Sequence, residues 1–120
     1  MSNIDNYKFS YELHIKLKQK DKFFGKGIAM LLLYIDKFGS LQRSANEMGL
    51  AYSKAWSIIK NAEKTLGFPL TQRKIGGVGG GGSTLTDKGR DFLDNFLKFE
   101  DAVYNSADKL FSEYFSEYKL

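Results

Sequence analysis

A mainly α-helical fold with a small β-component is what this sequence predicts, and three observations predict it. Apolar residues recur every three or four positions in successive stretches of the chain, ending in a long C-terminal one. Residues that start and stop helices stand at the ends of those stretches: Ser40 and Thr86 before them, Gly39, Gly49 and Gly67 after them. Two short β-prone runs, Leu70 to Ile75 and Ser83 to Thr86, flank a stretch that holds six of the twelve glycines, which reads as a β-hairpin with a glycine-rich tip. That hairpin directly follows a helix pair with helix-turn-helix spacing. The expected architecture is therefore a winged helix-turn-helix, with an N-terminal strand, a glycine-rich hairpin wing and a long C-terminal helix.

In chain order, residues 1–8 read as a flexible start. Residues 9–120 read as one winged helix-turn-helix domain. Phe9, Tyr11, Leu13, Ile15 and Leu17 alternate with Ser10, Glu12, His14, Lys16 and Lys18, which predicts a half-buried strand with His14 on its outer face. Gln19 to Phe24 turns the chain. Lys26 to Phe38 is a core-facing helix, with Ile28, Leu31, Leu32, Ile35 and Phe38 in one stripe. Leu41 to Met48 and Tyr52 to Leu66 follow as the second and third helices. Ala45 suits a close helix crossing, and Gly49 suits the sharp turn. From Asp87 a final helix of roughly 30 residues is expected, with a break near Asn105 and Ser106. Its stripe, Phe92, Phe96, Phe99, Val103, Ala107, Leu110 and Tyr114, is wider than so small a domain can bury, and it predicts a homodimer seam over about residues 87–118.

Charge narrows the partner. Residues 1–49 carry a net +3, residues 50–90 a net +5 and residues 91–120 a net −4. The basic middle holds the helix-turn-helix and the wing, and the acidic tail avoids phosphate, as a nucleic-acid face backed by its own scaffold requires. There is no cysteine, so disulfides, thiolate metal sites and cysteine nucleophiles are excluded. The start has no signal pattern, and the longest apolar run, Ile28 to Ile35, is too short to span a membrane, so a cytoplasmic protein without a membrane partner is expected.

The third helix carries the chemistry. On its wheel Tyr52, Ala55, Ile59, Ala62 and Leu66 fall on one side, with Trp56 at the edge of that side and expected to pack in the core. Ser53, Ser57, Lys60, Asn61 and Lys64 fall opposite, flanked by Lys54, a face without an acid. Hydroxyl, amide and ammonium groups suit phosphates and base edges. The expected DNA-binding residues are Tyr52, Ser53, Lys54, Ser57, Lys60 and Asn61 on this helix. Gln42 and Arg43 on the preceding helix, and Arg73, Lys74, Gly77 and Gly79 in the wing, complete the set. An alternative is a protein-interaction module on the same scaffold, without DNA binding, that works through the aromatic C-terminal helix.

Other patterns carry less. Gly77-x-Gly79-x-x-Gly82 matches the dinucleotide fingerprint in letters but lacks the βαβ unit that gives it meaning. A phosphate-binding P-loop needs lysine after its last glycine, and Ser83 stands there. With one histidine and no nucleophile–base pair, neither an enzyme nor a cofactor or metal is expected.

Residues Gly39-Ser40, Ala45, Gly49-Leu50, Tyr52, Ala55-Trp56, Pro69-Leu70 and the glycine run followed by Leu85-Thr86 and Gly89 resemble the DNA-binding domain of ModE-like, molybdate-responsive transcriptional regulators. More distantly the same stretch resembles the N-terminal domain of LysR-type regulators. The resemblance implies a homodimeric, sequence-specific DNA-binding protein. The best-known members add a C-terminal oxyanion-binding domain, which is not expected in this chain. Ser53 follows Tyr52 where the family's recognition helix has a basic residue, and Val78 stands where its wing tip often has Lys or Arg, so the family's target sequence does not carry over.

Overall fold

The computed structural model describes residues 4–74 and 82–120. Its elements are β1 (Leu17–Lys18), β2 (Lys22–Phe24), α1 (Lys26–Phe38), α2 (Leu41–Glu47), α3 (Tyr52–Leu66), β3 (Thr71–Lys74), β4 (Gly82–Leu85) and α4 (Asp87–Tyr114). A short 3-10 turn, Ser116–Tyr118, closes the chain. β1 pairs with β2 and β3 with β4, both antiparallel. The arrangement is the mainly α winged helix-turn-helix expected.

Local chemistry accounts for the helix ends. The Ser40 hydroxyl accepts from the Arg43 amide at 3.1 Å, and the Thr86 hydroxyl accepts from the Gly89 amide at 2.9 Å. Leu31, Leu32 and Ile35 of α1 are fully buried, and Ala45, Ala55, Ile59 and Ala62 close over them from α2 and α3. Leu70 and Leu85, at the foot of the wing, join the same core, as do Leu93 and Phe96 of α4. Each large apolar side chain so enclosed contributes about 1.5–3 kcal/mol. The wing is thus rooted in the core rather than hung from it.

The wing is also fixed against the helix-turn-helix. The Ser83 amide donates to the Gly39 carbonyl at 2.9 Å. Gly82 lies so close that an added Cβ would run into that same carbonyl oxygen, so only glycine lets β4 dock there.

Two expectations are corrected. The strand expected over Phe9 to Leu17 forms ladder bonds only at its end, in Leu17–Lys18. Side chains from Tyr11 to Lys18 do alternate half-buried and exposed, but a ladder needs a neighbouring strand, and among the described residues β2 meets only the last two. The preceding segment lies on α4 instead, where the Tyr104 hydroxyl donates to the Leu13 carbonyl at 3.3 Å. The break expected near Asn105 and Ser106 is absent: α4 runs unbroken for 28 residues. Both residues are exposed, and half-buried Tyr104 and Ala107 beside them hold the helix on its packed side.

α4 sets the shape. At 1.5 Å per residue it is about 42 Å long, within an envelope of 58 × 30 × 24 Å. The radius of gyration is 17.7 Å, against about 14 Å for a compact domain of this length. At the far end a second small core forms. Ile4 and Tyr7, from the stretch read as a flexible start, are buried there with Phe111, and Tyr7 bridges to Lys119.

Candidate nucleic-acid interface

α3 presents the surface from which the site is built. Ala55, Ile59 and Ala62 turn inward, which leaves Ser53, Lys54, Ser57, Lys60, Asn61 and Lys64 exposed. The two alanines let α3 approach α1 and α2 closely. That closeness leaves no room for a large ring at the edge of the stripe, so Trp56, expected in the core, stands 48% exposed. Tyr52, one turn earlier, is 47% exposed. The Lys60 ammonium lies 5.6 Å from the centre of the Trp56 ring.

α3 does carry one acid, Glu63, and its placement matters. Its side chain is only 11% exposed. One carboxylate oxygen accepts from the Leu70 amide at 2.8 Å and the other meets Lys60 at 3.1 Å. Glu63 therefore ties α3 to the foot of the wing and offsets the charge of Lys60, while exposed Lys54 and Lys64 keep the outer face positive.

On one flank of α3 a cleft of about 330 Å³ is lined by Ser40, Gln42, Tyr52, Arg73, Gly82 and Ser83. It brings the starts of α2 and α3 together with both wing strands. Arg43 is exposed beside it, its guanidinium 4.2 Å over the Phe38 ring. Lys74 is exposed on β3. Gly77 and Gly79, expected to let the wing tip approach a partner, lie outside the described residues.

The other flank was not anticipated. The turn expected at Gln19 to Phe24 is a hairpin whose Lys16, Lys18, Lys20 and Lys22 are all exposed. It stands beside α3, where Lys20 and Lys22 share a hollow of about 250 Å³ with Asn61 and Lys64. The signal is present as lysine at every second residue from Lys16 to Lys22, but the alternation puts only Lys16 and Lys18 on the polar face of a strand and leaves Lys20 and Lys22 in a turn. α3 thus runs between two basic hairpins, of which the sequence reading found one.

The two shifted carboxylate and guanidinium groups lie away from this face. The Arg90 guanidinium grips Asp36 with bonds of 2.6 and 3.1 Å and holds that carboxyl below the usual aspartate range. Arg90 therefore braces α4 on α1. Among the described residues no three His, Cys, Asp or Glu side chains gather to hold a metal ion. No helix among them is long and apolar enough to cross a membrane.

Known proteins share this stretch. Residues 30–90, from within α1 to the first turn of α4, match the family described as bacterial regulatory helix-turn-helix protein, lysR family. The chain is 36% identical over 80 residues to the molybdenum transport protein ModE of Azotobacter vinelandii, covering 67% of this chain and 30% of that one. It is 34% identical over 83 residues to the DNA-binding transcriptional dual regulator ModE of Escherichia coli (strain K12), 68% and 32% of the two chains. With the transcriptional regulator ModE of Haemophilus influenzae the identity is 29% over 99 residues, 82% and 37%. The matches cover about a third of each of these relatives. The matched residues include α2, α3, the wing and the surfaces between them, and on that match the chain belongs to the LysR family of bacterial regulatory helix-turn-helix proteins, with a ModE-like DNA-binding domain.

Proposed function

We propose that the protein is a sequence-specific transcriptional regulator that binds duplex DNA as a homodimer. α3 enters the major groove. Ser53, Lys54, Ser57, Lys60 and Asn61 contact base edges and phosphates there. Gln42 and Arg43 hold the backbone from α2, and β3 with Arg73 and Lys74 lies along it on the wing side. The second hairpin, with Lys20 and Lys22, holds the backbone on the opposite side.

The observation that carries the reading is the outer face of α3. Its polar and basic groups all face solvent, its one acid is turned to the wing, and a basic hairpin stands on each side. A polyanion with a groove wide enough for a helix fits that surface.

Selection from a random duplex library at moderate salt tests it. The expected outcome is an enriched inverted repeat, with affinity that falls steeply as salt rises. Binding without enrichment would remove sequence specificity. No recovery of DNA at low salt would overturn the reading and leave the aromatic end of α4 as the working surface.

A further inference from the structure

The polar residues of α3 account for hydrogen bonds and phosphate contacts, but its two exposed aromatic rings do not. Tyr52 and Trp56 are one helical turn apart and so share one edge of α3. That edge is the one toward the wing, since Tyr52 lines the cleft with Arg73 and Gly82. Nearly half of each side chain is in water. Lys60 lies against the Trp56 ring and Lys54 is exposed in the same turns. An apolar protein partner for these rings would have to meet those two lysines, whereas DNA is drawn by them.

The major groove limits what the rings can touch. Base pairs there display acceptors, amino donors and a single apolar group, the C5-methyl of thymine. Apolar side chains on a recognition helix therefore discriminate thymine and little else. We propose that Trp56, with Tyr52 beside it, is a specificity-determining contact that selects thymine in each half-site through its methyl group. The proposal rests on α3 being the helix that enters the major groove. It adds to that reading a chemical preference, thymine over cytosine and over uracil, at the positions under the wing-side edge.

Deoxyuridine gives a direct test, because it keeps every hydrogen-bonding group of thymine and lacks only the methyl. Thymines in one half-site of the selected duplex are replaced one at a time, and binding is measured for the wild-type chain and for Trp56→Ala. The wild type should weaken about three- to tenfold at one or two positions, in line with one buried methyl. At one of those positions Trp56→Ala should bind thymine and deoxyuridine alike. Because Trp56 is half exposed and is the only tryptophan, the wild-type emission should also change when the duplex binds, which checks the contact without any variant. Wild-type binding indifferent to every replacement, an undiminished deoxyuridine penalty in Trp56→Ala, or an unaltered emission on binding would each overturn the proposal. In those cases DNA is still bound, so the reading of the protein as DNA-binding stands. A wild type that binds no duplex even at low salt sinks both.

Discussion

Glu63 is the residue on which the geometry of the interface turns. Its carboxylate accepts from the buried Leu70 amide and pairs with Lys60, so one side chain sets both the wing's foot and the charge on α3. Glu63→Ala should lower the unfolding free energy by about 1–3 kcal/mol, the cost of leaving a buried amide unpaired. Glu63→Gln keeps an acceptor oxygen and should lose less. Urea unfolding of the three proteins checks this, and equal midpoints would show that the tie contributes nothing. A second residue-scale prediction concerns Tyr11. Burial, and then its 2.5 Å hydrogen bond to Asp108, raise its phenol from 10.0 to about 12. The fold therefore favours the protonated phenol. Its contribution is complete below pH 10 and is lost as pH climbs toward 12. Melting temperatures from pH 9 to 11.5 should fall less steeply in Tyr11→Phe than in the wild type, with lysine titration common to both. Parallel curves would contradict it.

Elements whose determinants lie within a few residues were legible in the sequence. α1 and α3 occur with the expected bounds, because a 3.6-residue stripe and a terminating glycine act over single turns. The wing was legible too, since its strands flank a glycine run. What depends on distant packing was not. The alternation describes exposure correctly from Tyr11 to Leu17 but could not say that, among the described residues, a strand would lie alongside only its end. The helical wheel placed Trp56 at the border, and only the tight packing at Ala55 and Ala62 decides that it stays outside. The lysine-rich hairpin was missed for the same reason: its place beside α3 is a tertiary fact. It yields a prediction. Changing Lys20 and Lys22 together to Gln should reduce the dependence of log affinity on log salt by about one per lysine in each half-site if each meets a phosphate. Neither is buried, so the melting temperature should hold. An unaltered slope would confine the backbone contacts to α2, α3 and the wing.

At the scale of the whole molecule, α4 joins two different jobs. Its first turns are part of the core that carries the wing. Its last turns leave the body and expose Leu110 (53%) and Tyr114 (74%) along an apolar groove of about 520 Å³ with Tyr11, Leu13 and Phe111. A monomer gains nothing from keeping such a surface in water. In the proposed dimer a second copy covers it, and because a two-fold interface is self-complementary, the same groove serves on both chains. A rigid helix from that seam to the wing would also fix the distance between two α3 helices, which must present themselves one turn of duplex apart, ~34 Å, or a multiple of it. Leu110→Asp tests the seam without disturbing the core, since the side chain is already half in water. The variant should sediment as a monomer where the wild type is a dimer. It should also bind a full inverted repeat no better than a single half-site, while its melting temperature, measured at a concentration where both proteins are monomeric, stays close to that of the wild type. If Leu110→Asp remains dimeric and keeps its preference for the repeat, the pairing surface lies elsewhere, and the exposed end of α4 is free for another partner.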